Sequence, residues 1–333
     1  MLNKVISITD YFLEVGKGKI PFHSVVPAFG ENPVITTGFE TIWDGGGVYV
    51  PPTQARFHNV ASDAAADAGT LVSSGTATGG GVNSLVDSSG TFETDLVAVE
   101  DLILDDENMD IGEVTAIVSE AEITISRSMR DPETGLDGVG FESGDAYRIV
   151  RDASSGASVL HLIGLSPSFL DQDEFVLLNG LNDVVTAKSY PRQHRARVFA
   201  SAAANAVGTI TSETIGEVAD TVSLQVIDGN NQALMAVLTI PGDSFGMVGR
   251  WWGSMSKKQS ATSIFKLRIG QLDHIGYIKQ VRSIQSAGAS AFDYDFKGGF
   301  ILPGGSDIWM EADADAANVG VSGGFDVMMV RQS

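Results

Sequence analysis

The sequence predicts an all-β protein: a jelly-roll-like antiparallel β-sandwich with an inserted small β-barrel and an extended N-terminal arm. Three observations carry that expectation. From residue 159 onward, strand-sized apolar or alternating runs are separated by Gly, Asn, Asp and Pro, with no helical periodicity between them. Glycine makes up 38 of the 333 residues, well above its average of about 7%, as a chain with many tight turns requires. Acid is concentrated in one stretch: between Gly69 and Val150, 17 Asp and Glu face three Arg, leaving −14 of the chain's net −21 there. A charge shift that sharp marks a separate module.

Taken in order, residues 7–14 (SITDYFLE) hold the best helix signal, with Ile8, Phe12 and Leu13 on one face, Ser7 or Thr9 as cap, and Gly16 and Gly18 as stops. Residues 19–54 are rich in punctuation, including Gly45-Gly46-Gly47 and Pro51-Pro52. Residues 1–55 are therefore expected to form an arm that lies over a neighbour or along its own sandwich. The insert, 69–151, carries strands expected at 83–86, 102–104, 111–118, 121–126 and 146–150, with a hairpin turning near Ser119-Glu120. Five short strands in a segment of this size suggest a small barrel. The sandwich is assigned to 56–68 and 152–333. Its strands are expected at 159–165, 174–178 (followed by a hairpin turn at Asn179-Gly180), 194–199, 224–227, 234–240, 247–254, 263–269, 277–281, 292–296, 307–312 and 324–330. Strands without helical crossovers pair antiparallel, and this number favours two packed sheets.

The same sequence excludes several chemistries. A net charge of −21 argues against nucleic-acid binding, which needs clustered Lys and Arg. Zero Cys removes disulfides, thiolate nucleophiles and zinc–thiolate sites. No apolar run reaches the ~20 residues that span a bilayer, and the N-terminus lacks the apolar core of a signal peptide. His23, His58, His161, His194 and His274 fall in no HExxH pattern, and neither a GxSxG elbow nor a Walker loop is present. The glycine runs 45–47 and 79–81 lack the Lys and helix of a phosphate cradle. The acidic run 105–110 lacks EF-hand spacing. No catalytic residue, cofactor site or metal site is assigned.

What the sequence offers instead is contact surface. Phe22, His23, Phe29 and Trp43 in the arm, with Arg250, Trp251 and Trp252 in the sandwich, are the candidate partner-contact residues, since aromatics and Arg are enriched at interfaces. Adjacent residues on a strand face opposite sides, so one of Trp251 and Trp252 belongs to the core and the other to the surface.

The runs DYFLEVGKGKIPFHSVVPAFGENP and TGFETIWDGGGVYVPP, with VSLQVIDGNNQALMAVLTIPGDSFGMVGRWWGSMS, SIFKLRIG and VSGGFDVMMV, resemble a family of tailed-bacteriophage virion structural proteins. The resemblance covers residues 1–60 and roughly 155–333. The insert, through TATGGGVNSLVDSSGTFETDLVAVEDLI and ESGDAYRIV, resembles a small β-domain of phage proteins. Ala28 and Glu31 stand where the family pattern carries basic residues, which weakens docking of the arm on an anionic surface. The resemblance implies a non-enzymatic virion protein on the capsid exterior, of the decoration, cement or vertex kind. Its arm would anchor it, its sandwich would form the oligomer interface and its acidic module would project into solvent. The implied partners are the major capsid protein or neighbouring virion proteins and further copies of the chain, with a trimer expected. A tail, neck or receptor-binding component that contacts glycans is the alternative, and a glycan-active enzyme a third reading.

Overall fold

The computed structural model describes residues 14–15, 20–35, 38–125, 138–152, 156–199, 205–216, 221–256, 261–271, 278–296, 301–316 and 318–332. The fold is all-β with antiparallel sheets. The helix expected over 7–14 lies, apart from Glu14, outside the described residues. The chain divides into two compact units: Met1–Ala55, Leu165–Asp171 and Leu234–Ser333 form one, and Arg56–Gly164 and Gln172–Ala233 form the other.

The first unit is a two-sheet sandwich. One sheet runs His23–Ile35, Val319–Arg331, Ser244–Met255, Ala291–Asp295, with Ile301–Leu302 also on Ser244–Met255. The other runs Val237–Thr239, Ser306–Ala314, Thr262–Gln271, Ile278–Ala287, with Glu40–Thr41 added on Ser306–Ala314. Period-two patterning drives the pairing: Ser306–Ala314 alternates buried and half-buried residues without a break. The inward residues of both sheets, among them Ala28, Val248, Trp251, Phe265, Ile308, Met310 and Phe325, make one apolar core. Across three strands of the first sheet the inward positions Gly30, Gly323 and Gly253 fall in register. A Cβ at Gly30 would stand 2.2 Å from the Ile42 carbonyl oxygen, and one at Gly253 would stand 2.7 Å from the Phe292 ring. This row leaves space that Met310, Ile42 and Phe292 fill.

Of the two placements expected for the arm, residues His23–Ile35 take the second: they form an edge strand along Val319–Arg331, within their own sandwich. Pro27 and Pro33 are tolerated in this strand because Pro27 sits on an edge and Pro33 within the irregularity between Asn32 and Ile35. The expected domain boundaries move accordingly. Residues 20–55 belong with 234–333, while 56–68 and most of 152–233 belong to the second unit.

In the second unit, a seven-stranded sheet runs Gly69–Thr76, Ala146–Asp152, Leu102–Asp105, Asp110–Ser119, Glu122–Ile125, Ser84–Val86, Gly79–Gly81. All five expected strands are present, and the hairpin turns between Ser119 and Glu122. The sheet encloses Leu85, Phe92, Ile103, Ile123, Phe141 and Tyr147. Its first and last strands, Gly69–Thr76 and Gly79–Gly81, are separated only by Ala77 and Thr78, whose N–H groups donate to the Asp145 and Val86 carbonyls at 2.8 and 2.7 Å, so the sheet curls round this core with seven strands where five were expected. Nor is the module tethered apart: Leu102, Leu104 and Val150 pack with Val159 and Phe175. Two smaller sheets complete the unit, Asp171–Leu177 with Val159–Leu165 and Arg192–Phe199, and Val184–Val185 with His58–Ser62, Ile210–Thr214 and Val222–Val226. The Asn179-Gly180 turn forms, with Gly180 at φ +59°, but it closes no hairpin, because the next strand, Val184–Val185, pairs with His58–Ser62.

Asp67 ties three segments of this unit together. Its wholly buried carboxylate accepts hydrogen bonds from Ser62 Oγ (2.7 Å) and from the backbone N–H groups of Ala157 (2.8 Å), Val207 (3.0 Å) and Gly208 (2.8 Å). Four donors converging on one anion offset the cost of burying it.

Candidate functional site

The candidate site is the outer face of the sandwich's first sheet, and strand register assembles it. Ala28, Trp251 and Phe325 point into the core, so their neighbours Phe29, Trp252 and Gly324 point outward. Phe29, Gly324, Trp252 and Asp293 form one row across four strands. The next row is Pro27, Asp326, Arg250 and Asp295. An irregularity between Val248 and Arg250 resets the alternation, so Met247 also faces outward, in a row with Val25, Met328 and Ile301. His23, Val330 and Phe245 follow.

Trp251 is wholly buried and meets the Phe292 ring edge-on at 4.8 Å, whereas Trp252 is half-buried. A Cβ on Gly324 would stand 2.9 Å from Phe29 Cβ and 3.0 Å from Trp252 Cζ2. The glycine thus lets the Trp252 indole lie across the sheet toward Phe29. Beside it, Arg250 donates two hydrogen bonds to Asp293, Nε to Oδ1 at 2.8 Å and Nη2 to Oδ2 at 2.6 Å. Arg250 Nη1 is 3.9 Å from Asp326 Oδ2. The fork raises the Arg250 pKa and lowers that of Asp293. Asp326 is raised by burial, reinforced by Asp293 and Asp295 and opposed by Arg250. The far end of the face is apolar, with Phe22 65%, Phe245 41% and Ile301 72% exposed. Clustered exposed apolar side chains of this kind mark an interaction surface.

Of the seven contact residues expected from sequence, His23, Phe29, Arg250 and Trp252 share this face. Exposed Phe22 stands at its end, its carbonyl accepting from the Arg331 N–H at 2.8 Å. Trp43 and Trp251 do not belong to it. Trp43 is buried over Gly45, its Nε1 donating to the Gly47 carbonyl at 3.4 Å and its ring edge-on to Tyr49 at 5.3 Å. Val25, Met247, Asp293, Ile301 and Asp326 were not anticipated. Their membership depends on cross-strand register, which no single run of sequence displays.

Several ionisable groups of the second unit are held by structural bonds, while His194 Nδ1 is buried without a hydrogen-bond partner and burial pushes the His194 pKa down to about 4. His58 Nε2 lies 3.1 Å from Ser223 Oγ, and burial pushes its pKa down to about 4 against a raising bond to the Arg56 backbone. His161 Nε2 lies 2.7 Å from Asp173 Oδ2. Glu174 accepts the N–H groups of Ala187 (2.7 Å) and Lys188 (3.2 Å). The acidic run folds on itself, with Asp105 accepting the N–H groups of Glu107 and Asn108, both at 3.0 Å. Among the described residues, no group of three or more His, Cys, Asp or Glu is placed to hold a metal ion. His274 lies outside the described residues. No protein-family model matches the chain, and no curated protein matches it.

Proposed function

We propose that this chain is a non-enzymatic structural protein of a tailed-phage virion, attached to the capsid exterior as a decoration, cement or vertex component. The observation that carries the reading is the outer face just described: Phe29, Trp252 and Arg250 side by side, continued by exposed Phe245 and Ile301. A rigid sheet that displays aromatic, cationic and apolar side chains is suited to holding another protein surface by area and fit. The sandwich, read as jelly-roll-like and including its first strand, is the contact body. The acidic sheet of the second unit keeps like-charged neighbours apart in a crowded shell. Repetition over a lattice turns modest contacts into firm attachment. The partners are the major capsid protein or its virion neighbours, together with further copies of this chain in a closed oligomer.

One observation favours the second reading, a tail, neck or receptor-binding component. The Trp252 indole lies across Gly324 beside the Arg250–Asp293 fork, an arrangement able to stack on a sugar ring. Gold-labelled antibody against the chain, imaged on intact particles of the encoding phage, separates the readings. Label over the head is expected. Label confined to the tail favours the second reading, and the absence of label with intact epitopes overturns both.

A further inference from the structure

We propose that the loop 91–101 of the acidic module is a docking knob, seated through Leu96 and Val99 in an apolar socket on another protein whose rim carries Lys or Arg. The inference rests on reading the chain as one that works by contact. It adds a contact site on the second unit and states the chemistry of the partner.

Two tight turns build the loop. The Leu96 N–H donates to the Glu93 carbonyl at 3.1 Å in the first, and the Asp101 N–H to the Ala98 carbonyl at 3.3 Å in the second. Between them Val97 is buried with Phe92 in the module's apolar core. Leu96 and Val99 go the other way and are 71% and 52% exposed. One arginine brings the two turns together. Arg151 Nη2 donates to the Leu96 carbonyl at 2.6 Å and to Asp101 Oδ2 at 2.7 Å, while its Nε donates to Asp101 Oδ1 at 2.8 Å. Asp101 Oδ2 also accepts the Ala98 N–H at 2.7 Å. Glu120 pins the first turn from the neighbouring hairpin, accepting the N–H groups of Glu93 (3.0 Å) and Thr94 (3.2 Å) and the Thr94 hydroxyl (2.6 Å). Held in this way, Leu96 and Glu100 keep left-handed backbones, at φ +61° and +76°. Glycine adopts that conformation freely, whereas other residues adopt it at a cost. A leucine at such a position, with its side chain in water, contributes nothing to the fold that glycine would not. Strain that the surroundings over-determine is a mark of contact sites, and a loop already ordered loses little freedom on binding. Charge identifies what covers the knob. Glu93, Asp95, Glu100, Asp101 and Glu120 put five carboxylates in or against the loop, and Arg151 is closed on Asp101 and Leu96. Exposed Glu93 and Glu100 stand beside the apolar tips. Such a rim repels nucleic-acid phosphates, anionic lipid and the same loop of a second copy. It attracts a protein socket edged by Lys or Arg, so that an apolar centre is framed by complementary charge.

Photo-cross-linking tests this, with Val99→p-benzoylphenylalanine in the full chain, illuminated in the cells that produce it. Mass spectrometry should find position 99 joined to a partner peptide in which apolar residues stand beside Lys or Arg. Adding Leu96→Gly removes the side chain and relieves the left-handed backbone. The melting temperature should therefore stay within a few degrees of its value before that change, while the adduct falls by at least about tenfold. Glu93→Lys together with Glu100→Lys should lower the adduct by a similar factor, and that loss should shrink as salt is raised. The inference is overturned by no adduct at position 99, by adducts confined to a second copy, nucleic acid or lipid, or by a partner peptide without Lys or Arg. An adduct left at full yield by Leu96→Gly, which would make the loop a structural turn only, overturns it too. A basic-rimmed partner that is absent from purified particles upholds the docking loop and sinks the virion reading. A chain present in particles with no adduct at position 99 does the reverse.

Discussion

Replacing Asp67 with alanine should be among the most damaging single changes in the second unit. The carboxylate is wholly buried and accepts from one hydroxyl and three backbone N–H groups. Alanine leaves the amides of Ala157, Val207 and Gly208 without their acceptor. Each orphaned buried donor costs about 1–3 kcal/mol. Taking three amides near the lower bound, with water entering the vacated space, gives about 3–5 kcal/mol, the upper range for one substitution. Asp67→Asn keeps the shape but turns one acceptor oxygen into a donor that faces other donors, so it should cost more than half as much. With two compact units, a single global unfolding free energy is poorly defined. Hydrogen exchange at individual amides reads the local cost directly. In Asp67→Ala, protection at Ala157, Val207, Gly208 and the strand His58–Ser62 should fall by roughly a hundredfold to a few thousandfold, since each 1.4 kcal/mol is about tenfold. Protection unchanged within about threefold would refute the reasoning, because the bonds would then contribute no more than about 0.6 kcal/mol together.

Three further outcomes are expected. Trp251→Ala should lower stability by about 3–5 kcal/mol by emptying a core site, while Trp252→Ala should cost less than about 1.5 kcal/mol; thermal melts of the two compare them directly. His58 is neutral in the fold, with a pKa of about 4 against 6.5 when unfolded. Its contribution is therefore complete above pH 6.5 and shrinks by up to about 3 kcal/mol as pH falls toward 4. His194, also pushed down to about 4 by burial, acts over the same window, so melts across that range should show the slope and His58→Gln should reduce it by roughly half. Deleting residues 1–35 removes an edge strand and uncovers Val319–Arg331, so the product should aggregate or melt early; a monomeric product with an unchanged melting temperature would contradict the strand's role.

Strand identity was legible wherever alternation was regular. The runs at 263–269 and 307–312 fall within observed strands because period-two burial needs only local information, and 159–165 does so as a short, continuously apolar run that is buried throughout. One failure has a physical cause. The glycines at 75 and 79–81 have weak strand propensity, which hid Gly69–Thr76 and Gly79–Gly81. At the candidate site, sequence supplied the residue types and the rule that Trp251 and Trp252 face opposite ways. Which one is buried depends on the pairing of Trp251 with Phe325 and Tyr294, a tertiary fact. Sequence also could not show that Phe29 and Arg250, more than two hundred residues apart, share a face.

The most direct test of the central idea, that this chain works as a component held by surface contact, is quantitative mass spectrometry of purified particles from the phage that encodes it. Peptides of this chain should occur at a fixed copy number relative to the major shell protein, and that number should drop when Trp252 and Ile301 are both replaced by charged residues. Particles that lack the chain, or that retain it in full despite both replacements, would contradict it.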